Sequence, residues 1–465
     1  MKARLGLLIC HSDNYFAFEN NIPEICTAGL KKITDKENVD LIIYDAIKDG
    51  NSALEAEQFF KEKGIDYLLI LTADFSTGDI MLSLENYDIP MGVWAVEDPK
   101  NVGDIQLNST VSANLFISIA QRKYKEKKAV KWFYGSPESN QFKARMQTTC
   151  KAIRAYHAWN HKKIGILGDV APTFFNLENN LDFESNHGLQ FVRLTMQDLI
   201  DEVNELTEED IEGMKKEILN SANDTSKLPL ESLNQGAKVL KGLCNLVDKY
   251  NIASLAASCW PDFQDEFSIV PCVPFTLLGK LKGVPVACEG DVGGAVSLMV
   301  IYEISQHMPT LMDLTSIHSE DNKLLLWHCG IGSYDLAPKE HVEILPHPML
   351  DRRNPNRKLM GLSYNYVLKP CEATLFRYSN NHKVFSVDAE ILKDDKGFTG
   401  TRGYISSFES DSKPVHVDDI LETLMSNGVE HHIILGQTHC QDALREWAHL
   451  MKLDWIEIEK YKNYL

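Results

Sequence analysis

The chain has 465 residues, 44% of them hydrophobic, with no low-complexity tract. That excludes a disordered protein and is too long for one ordinary core, so two or three domains are expected. A formal net charge of −19, from 47 Lys+Arg against 66 Asp+Glu, argues against nucleic acid or an anionic membrane as the main partner. Ten cysteines without a C-x-x-C pair argue against a disulfide framework and point to a reduced, cytoplasmic protein.

The N-terminal "MKARLGLLIC" has an apolar run too short for a secretory core and reads as a first strand. No run reaches membrane-spanning length. The compact apolar runs "RLGLLIC" (4–10), "VDLIIYDAI" (39–47), "YLLILTADF" (67–75) and "MGVWAVED" (91–98) alternate with amphipathic segments, which predicts a parallel sheet covered on both faces. "KAVKWFYGSP" (128–137) adds a further strand. The densest basic run, "RKYKEKKAVK" (122–131), reads as a solvated helix end. A long helix over 140–160 leads to "KKIGILGDVAPTFFN" (162–176), the opening of a second α/β unit continued by "GLQFVRLT" (188–195), "ASLAASC" (253–259) and "VPVAC" (284–288). After about residue 308 the period changes to two, in "LMDLTSIH", "LLLWHCG", "EATLFRY" and "KVFSVDAEIL", and helix is expected again only at 441–451. The expected fold is therefore α/β: two Rossmann-like parallel-sheet domains, 1–160 and 161–308, then a β-rich, barrel-like domain, 309–465.

Glu289 closes an apolar strand-like run in the second unit, where parallel-sheet folds place ligands. Asp291, two residues on, is better placed as the N-cap of the apolar helix that follows. The glycines at 290, 293 and 294 do not make a G-x-G-x-x-G fingerprint. In "TLMDLTSIHSEDNKLLLWHCG" a four-residue turn at 319–322 pairs His318 with Lys323 and, counting outward, Asp313 with His328. That pair reads either as a buried hydrogen bond pinning the sheet or as two ligands on one face. In "GVEHHIILG" a strand would send His431 and His432 to opposite faces, so one at most enters a given site. Two or three carboxylates plus a histidine could hold a divalent ion such as Mn²⁺.

Taken together, "CWPDF" (259–263), "PVACEGDVGGAVSLM" (285–299), the 311–330 hairpin, "GFTGTRGYISSF" (397–408) and "GVEHHIILG" resemble the L-fucose isomerase and L-arabinose isomerase superfamily over nearly the full length. The resemblance implies a metal-dependent aldose–ketose isomerase working through a cis-enediol, with Glu289, Asp313 and His432 on Mn²⁺ and the two acids carrying protons. It adds His328 as a metal or substrate contact. It also implies a homo-oligomer, trimer or hexamer, with the active site near a subunit interface. Trp260 at a strand end would stack on a sugar or pack between domains. Trp94 and Arg4 are matched to a substrate-closing role or to core and surface. The substrate class is open among 6-deoxy sugars, pentoses and acidic or sulfonated sugars. The alternative is a non-enzymatic cytosolic sugar-binding protein of the same fold. A nicotinamide dehydrogenase lacks its glycine fingerprint after the first strand.

Overall fold

A computed structural model describes residues 2–100, 102–125, 130–178, 188–349, 360–394 and 396–464. They divide into two compact units, Met1–His157 and Ala158–Leu465. The long helix Asn140–His161 carries the chain from the first to the second.

The first unit is a five-stranded parallel sheet of β1 (Arg4–Cys10), β2 (Asp40–Ile43), β3 (Tyr67–Thr72), β4 (Met91–Ala95) and β5 (Val130–Tyr134), in the order β2-β1-β3-β4-β5. β3 and β4 are buried along their whole length, as their unbroken apolar sequences demand of strands covered on both faces. Trp94 belongs to this core. Its ring is fully buried against Phe142, 4.2 Å between centroids, and its Nε1–H donates to the Gly135 carbonyl at 2.9 Å.

The second unit opens with a parallel sheet of β6 (Lys163–Leu167), β7 (Gln190–Leu194), β8 (Ile252–Ala257) and β9 (Val286–Ala287), ordered β7-β6-β8-β9. Ten strands follow in a second sheet: β10 (Thr310–His318), β11 (Lys323–His328), β12 (Glu343–Leu345), β13 (Ser363–Val367), β14 (Cys371–Tyr378), β15 (Lys383–Ile391), β16 (Thr401–Ser410), β17 (Lys413–Pro414), β18 (His432–Gln437) and β19 (Asp454–Trp455). Six of them close an antiparallel ring, β16-β11-β10-β18-β14-β15 and back to β16, so the β-rich region is a barrel.

The boundary expected at 308/309 falls inside this unit. The helix Val292–Ser305 explains why. Eleven of its fourteen residues are buried, and it packs on β8 on one side and on β14 and β18 on the other. A helix apolar on every face has no solvent side, and it welds the parallel sheet to the barrel.

Helix also returns earlier than expected, at Val417–Ser426, which buries Val417, Ile420 and Leu424 on one stripe with His416 capping the Asp418 N–H. All ten cysteines are free. Among the described residues no helix is long and apolar enough to cross a membrane.

Candidate active site

Glu289 stands two residues past the short β9 (Val286–Ala287), in the left-handed region at φ 64°, ψ 16°. A non-glycine residue rarely adopts that conformation unless its surroundings hold it. Here the Glu289 carbonyl accepts the Ala171 N–H at 2.9 Å. The next residue, Gly290, is equally left-handed, and a Cβ on it would lie 2.5 Å from the Asp169 carbonyl. The turn thus swings the Glu289 side chain toward the barrel.

The barrel supplies the other groups. Asp313 on β10 pairs directly with His432, the first residue of β18. His328 ends the neighbouring β11. His432 Nε2 lies 3.3 Å from Glu289 Oε2 and 3.7 Å from Asp313 Oδ1. The His328 and His432 rings are 5.8 Å apart.

Ligand atoms of Glu289, His328 and His432 fall within 4.8 Å of one another, and so do those of Asp313, His431 and His432. Three of these atoms, Glu289 Oε2, His328 Nε2 and His432 Nε2, are buried without a hydrogen-bond partner: the Glu289–His432 approach is close, but not aligned as a hydrogen bond. Buried polar atoms are rarely left this way, and a carboxylate oxygen and two imidazole nitrogens facing one another are a donor set that suits a divalent cation.

The electrostatics agree. Burial pushes the Glu289 carboxyl up, but the histidines His431, His432 and His328 outweigh it and hold the group down at about 2. Burial pushes the His432 imidazole down, yet the carboxylates of Asp291, Glu289 and Asp313 prevail and raise it to about 10. The cluster therefore favours a positive charge at its centre. His328 moves the other way, its imidazole lowered chiefly by burial.

The hairpin register differs from expectation. His318 pairs with Lys323, but Thr315 is an extra residue in β10, so Asp313 pairs with Trp327 instead of His328. A bulge of this kind is invisible to outward counting and re-aims the side chains beyond it. The rule that His431 and His432 face opposite ways also fails. β18 begins at His432, so His431 precedes the pleat. Both rings reach Glu289, His431 Nε2 lying 3.5 Å from Oε2, and their centroids are 4.2 Å apart.

Trp260 is half-buried and stands edge-on to Phe174 at 6.1 Å, which in turn packs on His431 at 5.2 Å. Phe174 lies on the loop after β6, as does Asn176, whose side-chain amide is 3.1 Å from His431 Nδ1. The expectation for Trp94 as a substrate contact meets a fully buried ring in the first unit. Arg4 sits at the amino end of β1, where its guanidinium donates to the Lys63 carbonyl.

Asp291 caps the helix as its position suggests, accepting the Gly294 N–H at 2.8 Å. The residues that sequence reasoning missed lie behind it. Asp291 also accepts a two-pronged contact from Arg377, at 2.6 and 2.9 Å, and lies 2.8 Å from His432 Nδ1. Burial opposes this charge, but the Arg377 guanidinium beside it holds the Asp291 carboxyl well below the usual carboxylate range. The available signals were the glycine pair following Asp291 and the acid in "EHH".

No family model matches the chain. The sulfoquinovose isomerases of Priestia aryabhattai and Priestia megaterium are each 27% identical to it over 406 residues, covering 85% of this chain and 86% of theirs. That of a Clostridium species is 23% identical over 378 residues, 79% of this chain and 80% of its own. Among solved structures, a periplasmic solute-binding protein from Actinobacillus succinogenes with bound D-allose covers 67% of this chain and 85% of its own at 13% identity, with a TM-score of 0.17, too low to bear on this chain. The match to the curated relatives spans most of both chains and makes this protein an enzyme, an isomerase, rather than a non-catalytic binding protein.

Proposed function

We propose that the chain is a metal-dependent aldose–ketose isomerase acting on a free aldose through a cis-enediol, and that its substrate is sulfoquinovose, the sugar named for its relatives. The observation carrying the reading is the convergence of Glu289 Oε2, His328 Nε2 and His432 Nε2 without hydrogen-bond partners.

Glu289, Asp313 and His432 would hold a divalent ion such as Mn²⁺, with His328 completing the set or contacting the sugar. Bound there, the ion would supply charge that polarises the sugar carbonyl and favours the enediolate. The chain's own groups do the rest. One of the two carboxylates removes the C2 proton, and the same or the other returns it to C1. Both sit close to His432, so the two acids serve one small volume. Asp313 is the more exposed, its side chain 30% accessible against 14% for Glu289, which suits contact with an entering sugar. Phe174 and Trp260 offer aromatic surface beside the cluster, and apolar ring faces stack on sugar C–H groups. The enzyme would work in the cytoplasm, where free thiols persist, and as a homo-oligomer, a trimer or hexamer, with its active site near a subunit interface.

The test is an aldose panel of sulfoquinovose, glucose, fucose and arabinose with Mn²⁺ in D₂O. Ketose should form from sulfoquinovose with solvent deuterium at C1, and chelation should abolish turnover. Deuterium at C1 would exclude a hydride shift, which carries the substrate's own hydrogen from C2 to C1. Undiminished turnover after chelation would remove the metal, and turnover of another aldose alone would remove the sulfonated substrate.

A further inference from the structure

Behind His432, on the side away from Glu289 and Asp313, lies a row of buried charge that contacts neither acid. Asp291 uses both carboxylate oxygens twice. Oδ1 accepts the Gly294 N–H at 2.8 Å and Arg377 Nη2 at 2.9 Å, while Oδ2 accepts Arg377 Nη1 at 2.6 Å and lies 2.8 Å from His432 Nδ1. Arg377, on β14, donates from Nε to Glu430 at 3.2 Å, and the other Glu430 oxygen accepts the Asn380 N–H at 2.7 Å. Asp291, Arg377 and His432 are fully buried and Glu430 is 6% exposed. Burying this much charge is costly and adds little to stability by itself, so its retention calls for another use.

The first turn of the helix Val292–Ser305 is shaped around the row. A Cβ on Gly293 would lie 2.9 Å from Arg377 Nη2, and one on Gly294 would lie 2.5 Å from Asp291 Oδ2. The glycine pair is the space that the carboxylate and guanidinium occupy.

We infer that Asp291, clamped by Arg377 and Glu430, is a positioning residue that fixes the His432 ring so that Nε2 faces Glu289 and Asp313. A histidine that binds a metal through one nitrogen is oriented by what the other nitrogen bonds, and losing that partner weakens metal binding by about 10–100-fold. Glu430 acts at one remove: it holds Arg377, which sets both oxygens of Asp291, which sets the ring. The inference rests on the metal site proposed above.

The test is Mn²⁺ titration of the full-length protein, read from the electron paramagnetic resonance signal of free Mn²⁺, for the parent, Asp291→Asn and Glu430→Gln. Asparagine keeps the helix cap, and glutamine keeps the length of Glu430 but turns an amide N–H₂ toward a donor. The parent should bind one Mn²⁺ per chain, and both variants should bind it about 10–100-fold more weakly. Turnover should return as Mn²⁺ is raised, with the sugar KM unchanged, which general damage to the fold would not allow. Folded variants that bind Mn²⁺ within twofold of the parent would overturn the inference and leave the metal site standing. A parent that binds no Mn²⁺ would overturn both. Should Asp291→Asn not fold, Glu430→Gln decides.

Discussion

Beyond β4 in the first unit, Asp98 turns one carboxylate oxygen onto the N–H groups of Gln106 and Leu107, at 3.1 and 2.8 Å, and ties down the loop that follows. Beyond β3, Asp74 accepts the Ser12 N–H at 2.8 Å. Beyond β9 in the second unit, Glu289 turns its Oε2 to two histidines and accepts no hydrogen bond there. All three are acids just past the carboxyl end of a parallel strand, so position does not separate them. What separates them is who supplies the partners. Backbone N–H groups make an acid part of the loop, whereas other titratable side chains leave it free for chemistry.

The sharpest test of that contrast is Glu289→Gln. It should lower ketose formation by about 10²–10⁴-fold, the usual worth of a positioned acid or base, while the melting temperature changes little. Asp313→Asn should follow the same pattern, and a variant retaining near-parent turnover would remove that acid from the chemistry. Asp98→Ala should do the reverse. It strands loop N–H groups and should cost about 1–3 kcal/mol of stability by denaturant titration, with Mn²⁺ binding unchanged.

The Asp98 effect should also depend on pH. Burial raises its carboxyl, but the N–H groups of Leu107, Lys100, Asn108 and Gln106 outweigh it and hold the group below the ordinary value. Its contribution is therefore present above the unfolded value and lost as pH falls through the folded one. Melts at pH 7 and pH 3 should show the variant and parent converging in acid.

Asp74 gives a change of slope. Burial pushes it up to about 7 despite the Ser12 N–H, so the folded state holds the proton more tightly than the unfolded state. Stability attributable to this group must fall as pH rises from about 4 to 7. Asp74→Asn should flatten that decline, and parallel stability curves for the two proteins between pH 4 and 8 would contradict it.

How much of this was legible in the sequence follows the range of the interactions. β1 coincides with its apolar run, and the change to a period of two after residue 308 marks the barrel. Glu289 could be singled out by its place at a strand end, Asp313 and His328 by their place on the two apolar strands of one hairpin, and His432 through the family resemblance, and the structure brings their side chains together in two overlapping groups that share His432. The register of Asp313 could not be read, because one added residue at Thr315 leaves no mark on the hydrophobic pattern. His431 was misjudged because strand alternation applies only once the strand has begun. Arg377 stayed unseen because it lies 86 residues from Asp291, inside an ordinary strand sequence. Trp94 was matched by resemblance to a substrate-closing role or to the core, and packing places its ring in the core.

The left-handed backbone of Glu289 has a consequence for how this protein can be improved or can decay. A side chain held at φ 64° costs about 1–3 kcal/mol that glycine would not incur. Glu289→Gly should therefore melt at a higher temperature than the parent while making no ketose. A library ranked by heat resistance alone would then be drawn toward a substitution that removes a proposed acid–base group.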